Sequence, residues 1–383
     1  MSQGQSGVAS MGHPMIAQPT HDELSEQLFV RDLKIHLMTA IEPTQRKLAE
    51  DVAADFAGTT SNDPVTELRA KMFESESFRT YMAVKRESQR QLWSAIGSSV
   101  GRQADALAAT ATIAAPRGSV TVDDDFVPPH YITDADIHLM PGGNALDDGS
   151  VLQGAVMDRG GAVYMLGRNG GMLNDLRGQT AMAHLLGLYP DIEPTKILDL
   201  GCGVGSSTVP AAICFPDAEV HGVDVGASMM RYAHARAEHL GAAVHFSQQS
   251  AERTNFADGS FDVVYSCVLL HETSQAAVGN ILAESRRLLR PGGVAIHLEV
   301  PLMNDFTALW DELSAVLESE FNNEPYWRGA LSSDYATLMR AAGFKDVQVG
   351  YQSTAIVARD AAKVFKPESD GVFRSWFVTS GRA

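Results

Sequence analysis

Ile197-Leu198-Asp199-Leu200-Gly201-Cys202-Gly203-Val204-Gly205-Ser206-Ser207-Thr208 is the stretch on which the reading of this chain turns. An apolar run delivers a carboxylate at Asp199, and a glycine-rich turn then opens into a helix beginning near Ser206. In such a strand, turn and helix start, glycines let the backbone approach a bound nucleoside closely. The spacing is G-x-G-x-G, not the G-x-G-x-x-G of dinucleotide binders. A carboxylate just before the turn repels a pyrophosphate but can hold the ammonium of an amino acid. The chemistry favours a cationic sulfonium amino acid over NAD, with an NAD-dependent oxidoreductase as a minor alternative.

Downstream, Val220-His221-Gly222-Val223 ends in Asp224. An acid at the tip of a second strand can grip a ribose, each hydroxyl donating to one carboxylate oxygen. A helix cap is the plainer reading of an isolated Asp there. Strands are expected at Lys196–Leu200, Glu219–Val223, Val244–Gln248, Phe261–Ser266 and Gly293–Glu299, with helices at Ala181–Leu188, Ser228–Leu240 and Gln275–Leu289. This alternation implies βαβ units and a parallel sheet covered on both faces, an α/β fold. Met303–Phe321 reads as an amphipathic helix, with Phe306, Leu309, Trp310, Leu313, Val316, Leu317 and Phe321 apolar, before strands at Val347–Tyr351 and Ser375–Thr379.

Upstream, Asp22 to Leu107 is helical in pattern, interrupted by Asn62-Asp63-Pro64, where Asp63 can cap a helix opened by Pro64. Ala108–Pro129 reads as a linker or an ordered wrap-around loop. The glycine-dense stretch from Pro128 to Gly178, with Tyr131, His138, Arg159, Tyr164, Arg168 and Asn174, reads equally as a surface loop or a lid over a ligand. Met1–Thr20 lacks an apolar core flanked by basic residues and reads as a loose tail. With 30 basic and 47 acidic side chains the net charge is −17, which argues against a nucleic-acid partner. Three cysteines, Cys202, Cys214 and Cys267, show no metal-ligand pairing, so neither disulfides nor a metal is expected. No apolar run approaches the roughly 20 residues that cross a bilayer. The expectation is a cytoplasmic protein without membrane insertion.

Four local patterns in order resemble the class I S-adenosylmethionine-dependent methyltransferases, especially the ubiquinone-biosynthesis type. They are Asp199-Leu200-Gly201-Cys202-Gly203-Val204-Gly205; Gly222-Val223-Asp224-Val225 with Ser228-Met229-Met230; Asp258-Gly259-Ser260-Phe261-Asp262-Val263-Val264; and Leu288-Leu289-Arg290-Pro291-Gly292-Gly293. The resemblance implies a Rossmann-like methyltransferase sheet, mostly parallel with an antiparallel last strand, and S-adenosylmethionine as cofactor. By position it places Asp199, Gly201, Cys202, Gly203 and Gly205 at the methionine and ribose, Asp224 and Val225 at the ribose, and Met229 on the adenine. It further implies Ser250, Ala251 and Glu252 near the adenine amino group, with Ser250 where Asp is commoner. Cys267 would border the sulfonium, and Tyr164 and Arg168 would help cover the cofactor.

His271, in Cys267-Val268-Leu269-Leu270-His271-Glu272, follows the fourth strand of the alternating set. Its place resembles that of the catalytic His of plant-type O-methyltransferases, without their following Asp-Trp. His271 is the candidate base or substrate-orienting residue, and Tyr326 and Trp327 are candidate substrate walls. The expected organisation is a tail (1–20), a helical cap or dimerisation domain (21–150) and a methyltransferase domain (151–383). The expected activity is methyl transfer to a small, apolar or aromatic molecule, O-methylation first. C-methylation of a quinone-like or isoprenoid substrate is the alternative, as is a cofactor-binding protein without methyl transfer. A homodimer is a further expectation.

Overall fold

The computed structural model describes residues 12–55, 63–300, 308–360, 364–371 and 373–383. Its strands are β1 (Ser119–Thr121), β2 (Lys196–Leu200), β3 (Glu219–Asp224), β4 (His245–Gln248), β5 (Phe261–Cys267), β6 (Leu289–Glu299), β7 (Lys345–Ser353), β8 (Phe365–Lys366) and β9 (Ser375–Arg382). They form one sheet in the order β1-β4-β3-β2-β5-β6-β9-β7-β8. The pairs from β1 to β6 are parallel. β9 runs antiparallel to both β6 and β7, as expected for the closing strand. The chain steps outward from β2 to β3 and β4, then returns to β5 on the other side of β2. That reversal opens a crevice at the carboxyl ends of β2 and β5, where α/β sheets bind ligands.

The helices are α1 (His21–His36), α2 (Glu42–Asp55), α3 (Pro64–Met72), α4 (Glu76–Gly101), α5 (Ala104–Ala111), α6 (His130–Thr133), α7 (Leu152–Tyr164), α8 (Leu176–Leu188), α9 (Thr208–Cys214), α10 (Ala227–His239), α11 (Gln275–Leu288), α12 (Leu309–Phe321), α13 (Trp327–Leu331) and α14 (Tyr335–Ala341). Successive strand residues feed opposite faces of the sheet. Ile197, Val263 and Ile296 pack with α8 and α10 residues such as Met182 and Tyr232. Leu198, Val264 and Ala295 pack with Val278 and Ile281 of α11 and Met339 of α14. The first core also takes in Leu92, Trp93 and Ile96 of α4, so buried contacts run across the boundary expected at residue 150.

Local caps set several helix starts. Asp63 accepts from the Thr66 backbone N–H with Pro64 in the first turn, as the sequence anticipates, while Asn62 lies outside the described residues. Thr20 and Glu23 form a reciprocal capping box on α1. The amphipathic helix expected at Met303–Phe321 is observed as α12 from Leu309; residues 303–307, including Phe306, lie outside the described set. Trp310, Leu313 and Leu317 of α12 pack on Leu68, Met72, Phe78 and Tyr81, which ties the C-terminal half to the N-terminal helices.

Two expectations need correction. The described part of the 1–20 tail is packed, with Met15, Ile16 and Ala17 at 0–2% exposure. His13 Nε2 lies 3.0 Å from Asp158, and the Tyr232 hydroxyl donates to the Met15 carbonyl. Small polar residues around a short apolar run hid these contacts. The glycine-dense stretch, read as loop or lid, contains α7 wedged between α4 and α10. A Cβ on Gly154 would stand 2.3 Å from the Tyr232 Cβ, and one on Gly160 would stand 2.2 Å from the Trp93 ring. Those glycines serve close helix crossings. No described helix is long and apolar enough to cross a membrane.

Candidate functional site

Parallel pairing aligns the carboxyl ends of the central strands, with Leu200 opposite both Val223 and Ser266. The chain must turn sharply after Leu200, and Gly201 does so at φ +67°. A Cβ there would fall 2.5 Å from the Leu269 side chain. Gly203, at φ +50°, has nothing within 4 Å of where a Cβ would point, so the turn faces open space. That space belongs to a cavity of about 650 Å³.

Most of the anticipated site residues line it. Gly201, Cys202, Gly203, Asp224, Val225 and Met229 form one wall. Ser250, Ala251, Cys267, Tyr164, His271 and Trp327 continue it. Others do not reach it. Asp199 is fully buried beneath the turn, its Oδ2 accepting from Ser207 (2.6 Å) and Thr208 (2.7 Å) and its Oδ1 without a hydrogen-bond partner among the described residues. Gly205 is not in the wall and packs near Phe246. Glu252 lies outside the lining and accepts from the Tyr131 hydroxyl at 2.8 Å and from Asn280 at 2.7 Å. Arg168 and Tyr326 are also outside it; Tyr326 meets Tyr131 edge-on at 5.9 Å.

Burial pushes the Asp199 carboxyl up to about 7, with the Ser207 and Thr208 hydroxyls opposing. Asp224 accepts from the Gly203 backbone N–H at 2.9 Å and from that of Gly226 at 3.0 Å, which holds the carboxylate against the turn. Burial raises its pKa also. His271 is 4% exposed, its Nδ1 2.7 Å from Glu299 and its Nε2 3.4 Å from Glu272. Burial pulls its pKa down, but Glu299 and Glu272 outweigh that and hold it at about 10. The Trp327 ring stands edge-on to it at 5.0 Å.

The sequence reading missed several wall residues. Arg177, in the first turn of α8, lines the cavity and makes no hydrogen bond or ion pair with described residues. Burial lowers its pKa, while Cys267, Glu299 and Asp199 oppose that drop. A cation at a helix N-terminus opposes the helix dipole and calls for an anion nearby, but the sequence reading starts this helix at Ala181, so Arg177 fell outside it. Lys34 of α1 also lines the cavity, 2.5 Å from Gln89 Oε1, and burial brings its amine down to about 8. His138, Glu272 and Glu324 converge at the same wall from three distant segments.

Residues 197–293 match a family model described as a methyltransferase domain. An uncharacterised methyltransferase of Synechocystis is 31% identical over 40% of this chain and 68% of its own length. The demethylmenaquinone methyltransferase of Thermus thermophilus is 35% identical over 28% of this chain, a match that spans 48% of that enzyme. An O-methyltransferase family protein from Burkholderia thailandensis has a solved structure at TM-score 0.41 and 19% identity, covering 59% of this chain and 60% of that one. The turn after β2, the acid closing β3 and a relative matched over two thirds of its length agree: the chain belongs to the class I S-adenosylmethionine-dependent methyltransferases.

Proposed function

We propose that the chain transfers the methyl group of S-adenosylmethionine to the hydroxyl of a small molecule held between the sheet edge and the N-terminal helices. The observation that carries this is one continuous cavity. Its walls run from Gly201 and Asp224 to Leu37 and Trp93 of the helical region and Leu317 and Phe321 of α12. A chamber roofed by the chain's own helices suits a small acceptor with apolar parts, and a net charge of −17 disfavours a polyanion. Residues 21–150 then act as a cap over the acceptor.

The side chains present fit the cofactor. Asp199, beneath the turn, has an Oδ1 without a hydrogen-bond partner among the described residues, and its charge would attract an ammonium seated over Gly201 and Gly203. Arg177 is a cation without a partner among the described residues, suited to a carboxylate. Asp224 can still accept from two ribose hydroxyls, and Val225, Met229, Ser250 and Ala251 offer a surface for adenine. When bound, S-adenosylmethionine supplies an electrophilic methyl on a cationic sulfur. The chain's own task is to hold the acceptor in line and exclude water. His271, kept protonated by Glu299 and Glu272, sets a positive ring in the cavity wall that attracts the acceptor oxygen. Trp327 fixes that ring from the side.

Methyl-labelled cofactor incubated with small phenols, alcohols, acids and quinone-like acceptors tests the reading. Label is expected in an ether or ester. Label in a new carbon–carbon bond would replace O- by C-methylation. Tight cofactor binding without label transfer to any acceptor would contradict transfer altogether.

A further inference from the structure

We propose that His138, Glu272 and Glu324 form a binding site for one divalent transition-metal cation, set where the cofactor end of the cavity meets the helical chamber. One ligand atom from each can be chosen so that all lie within 4.8 Å of one another. His138 Nε2 is 3.2 Å from Glu272 Oε1, and its Nδ1 is 2.6 Å from Glu324 Oε1. An independent observation points to a missing ligand. Glu324 is 4% exposed, and its second oxygen, Oε2, has no hydrogen-bond partner among the described residues. Asn322 Nδ2 lies 3.0 Å from Glu324 Oε1 and 3.4 Å from His138 Nδ1. Amide orientation follows the local network, so with a cation present a flipped Asn322 would offer its oxygen as a fourth donor.

The site is built from the backbone outward. The His138 carbonyl accepts from Trp93 Nε1 at 2.7 Å and from Gln89 Nε2 at 2.9 Å, anchoring the loop to α4. His138 sits at φ +58° and Leu139 at φ +56°, conformations that persist only where surroundings impose them. Glu272 follows β5 through a short 3-10 turn, and Glu324 follows α12. Three carboxylates, Glu272, Glu299 and Glu324, share this poorly solvated region with the two imidazoles of His138 and His271, so the charge of an added dication would be balanced by its surroundings. One imidazole with carboxylate oxygens suits zinc, manganese, cobalt or ferrous iron better than calcium. The sequence suggested no metal because the three ligands are far apart along the chain and follow no spacing motif.

A cation there would bind the acceptor oxygen directly. It would acidify the acceptor hydroxyl, whose proton would pass to bulk water before the transfer; the O–CH3 bond would then form as the S–CH3 bond breaks, with the thioether leaving neutral. That role rests on the proposed function; occupancy of the site does not.

The test uses the full chain without a tag and stripped by chelator. Co2+ is titrated by visible absorption, Zn2+ and Mn2+ by calorimetry, and S-adenosylhomocysteine affinity is measured in parallel. The wild type should take up one equivalent with a cobalt ligand-field band. Glu324→Gln and His138→Gln should weaken uptake at least about tenfold while leaving S-adenosylhomocysteine affinity unchanged. Glu324→Gln, which preserves shape, carries the test if His138→Gln fails to fold. Lack of stoichiometric uptake by the wild type, or uptake retained in both variants, overturns the site. So does a proton on both His138 ring nitrogens at saturating metal. Stoichiometric uptake without methyl transfer would overturn the proposed function and leave the site standing.

Discussion

Asp199 carries the sharpest prediction at the scale of single residues. Its carboxyl stands near 3.8 in an open chain and at about 7 when buried under the turn. The folded chain therefore holds more protons across that window, and this group's contribution to stability declines as pH rises from about 4 to 7. An ammonium seated above the turn reverses the preference, because it favours the ionised form. Affinity for S-adenosylhomocysteine should fall as pH drops below about 7, by roughly tenfold per pH unit. Asp199→Asn should bind weakly with a flatter pH profile, yet unfold at higher denaturant than the wild type above pH 7. Calorimetry and urea melts between about pH 5.5 and 8.5 check both signs; pH-independent wild-type affinity would contradict the assignment. Asp199 and Asp224 were legible as chemistry because each ends a strand beside glycines. Arg177 was not singled out, since one arginine is ordinary until the cavity around it is seen.

Glycines show how an element's meaning depends on its neighbours. Gly160 in α7 has the Trp93 ring where a Cβ would go, whereas Gly279 in α11 has nothing within 4 Å. Gly160→Ala should destabilise by about 1–3 kcal/mol through overpacking. Gly279→Ala should stabilise by about 0.5–1 kcal/mol through helix propensity. Equal urea midpoints for the two variants would contradict the packing account of α7. The same contrast explains which elements could be read in advance. β2, β5 and β6 are apolar runs between turn residues, so their position followed from composition and spacing. α7 carries glycines at its contact points, which mimic a loop in sequence. β1 is three exposed residues at the sheet edge, with no apolar pattern to reveal it.

For the whole molecule, the sheet, the N-terminal helices and the stretch around Met15 share continuous buried surface. The antiparallel closing strand came from the resemblance to the methyltransferases and not from the alternation, while the α/β architecture was legible because alternating elements leave few arrangements. The joining of the two halves was not, since it depends on α12 meeting α3 and α4 and on Met15 reaching the core near α10. Met15→Ala should cost about 2–5 kcal/mol, as for other fully buried side chains. A urea midpoint equal to wild type would show that this segment adds nothing to the fold.

The central claim is that the turn after β2, with Asp224 beside it, is formed for an adenosyl amino acid. Calorimetric titration of S-adenosylhomocysteine, and separately of NAD, into the full chain and into Asp224→Ala tests it most directly. One site for S-adenosylhomocysteine, no heat with NAD, and at least about tenfold weaker binding by the variant are predicted. No S-adenosylhomocysteine binding by the wild type, or equal affinity in the variant, would contradict it.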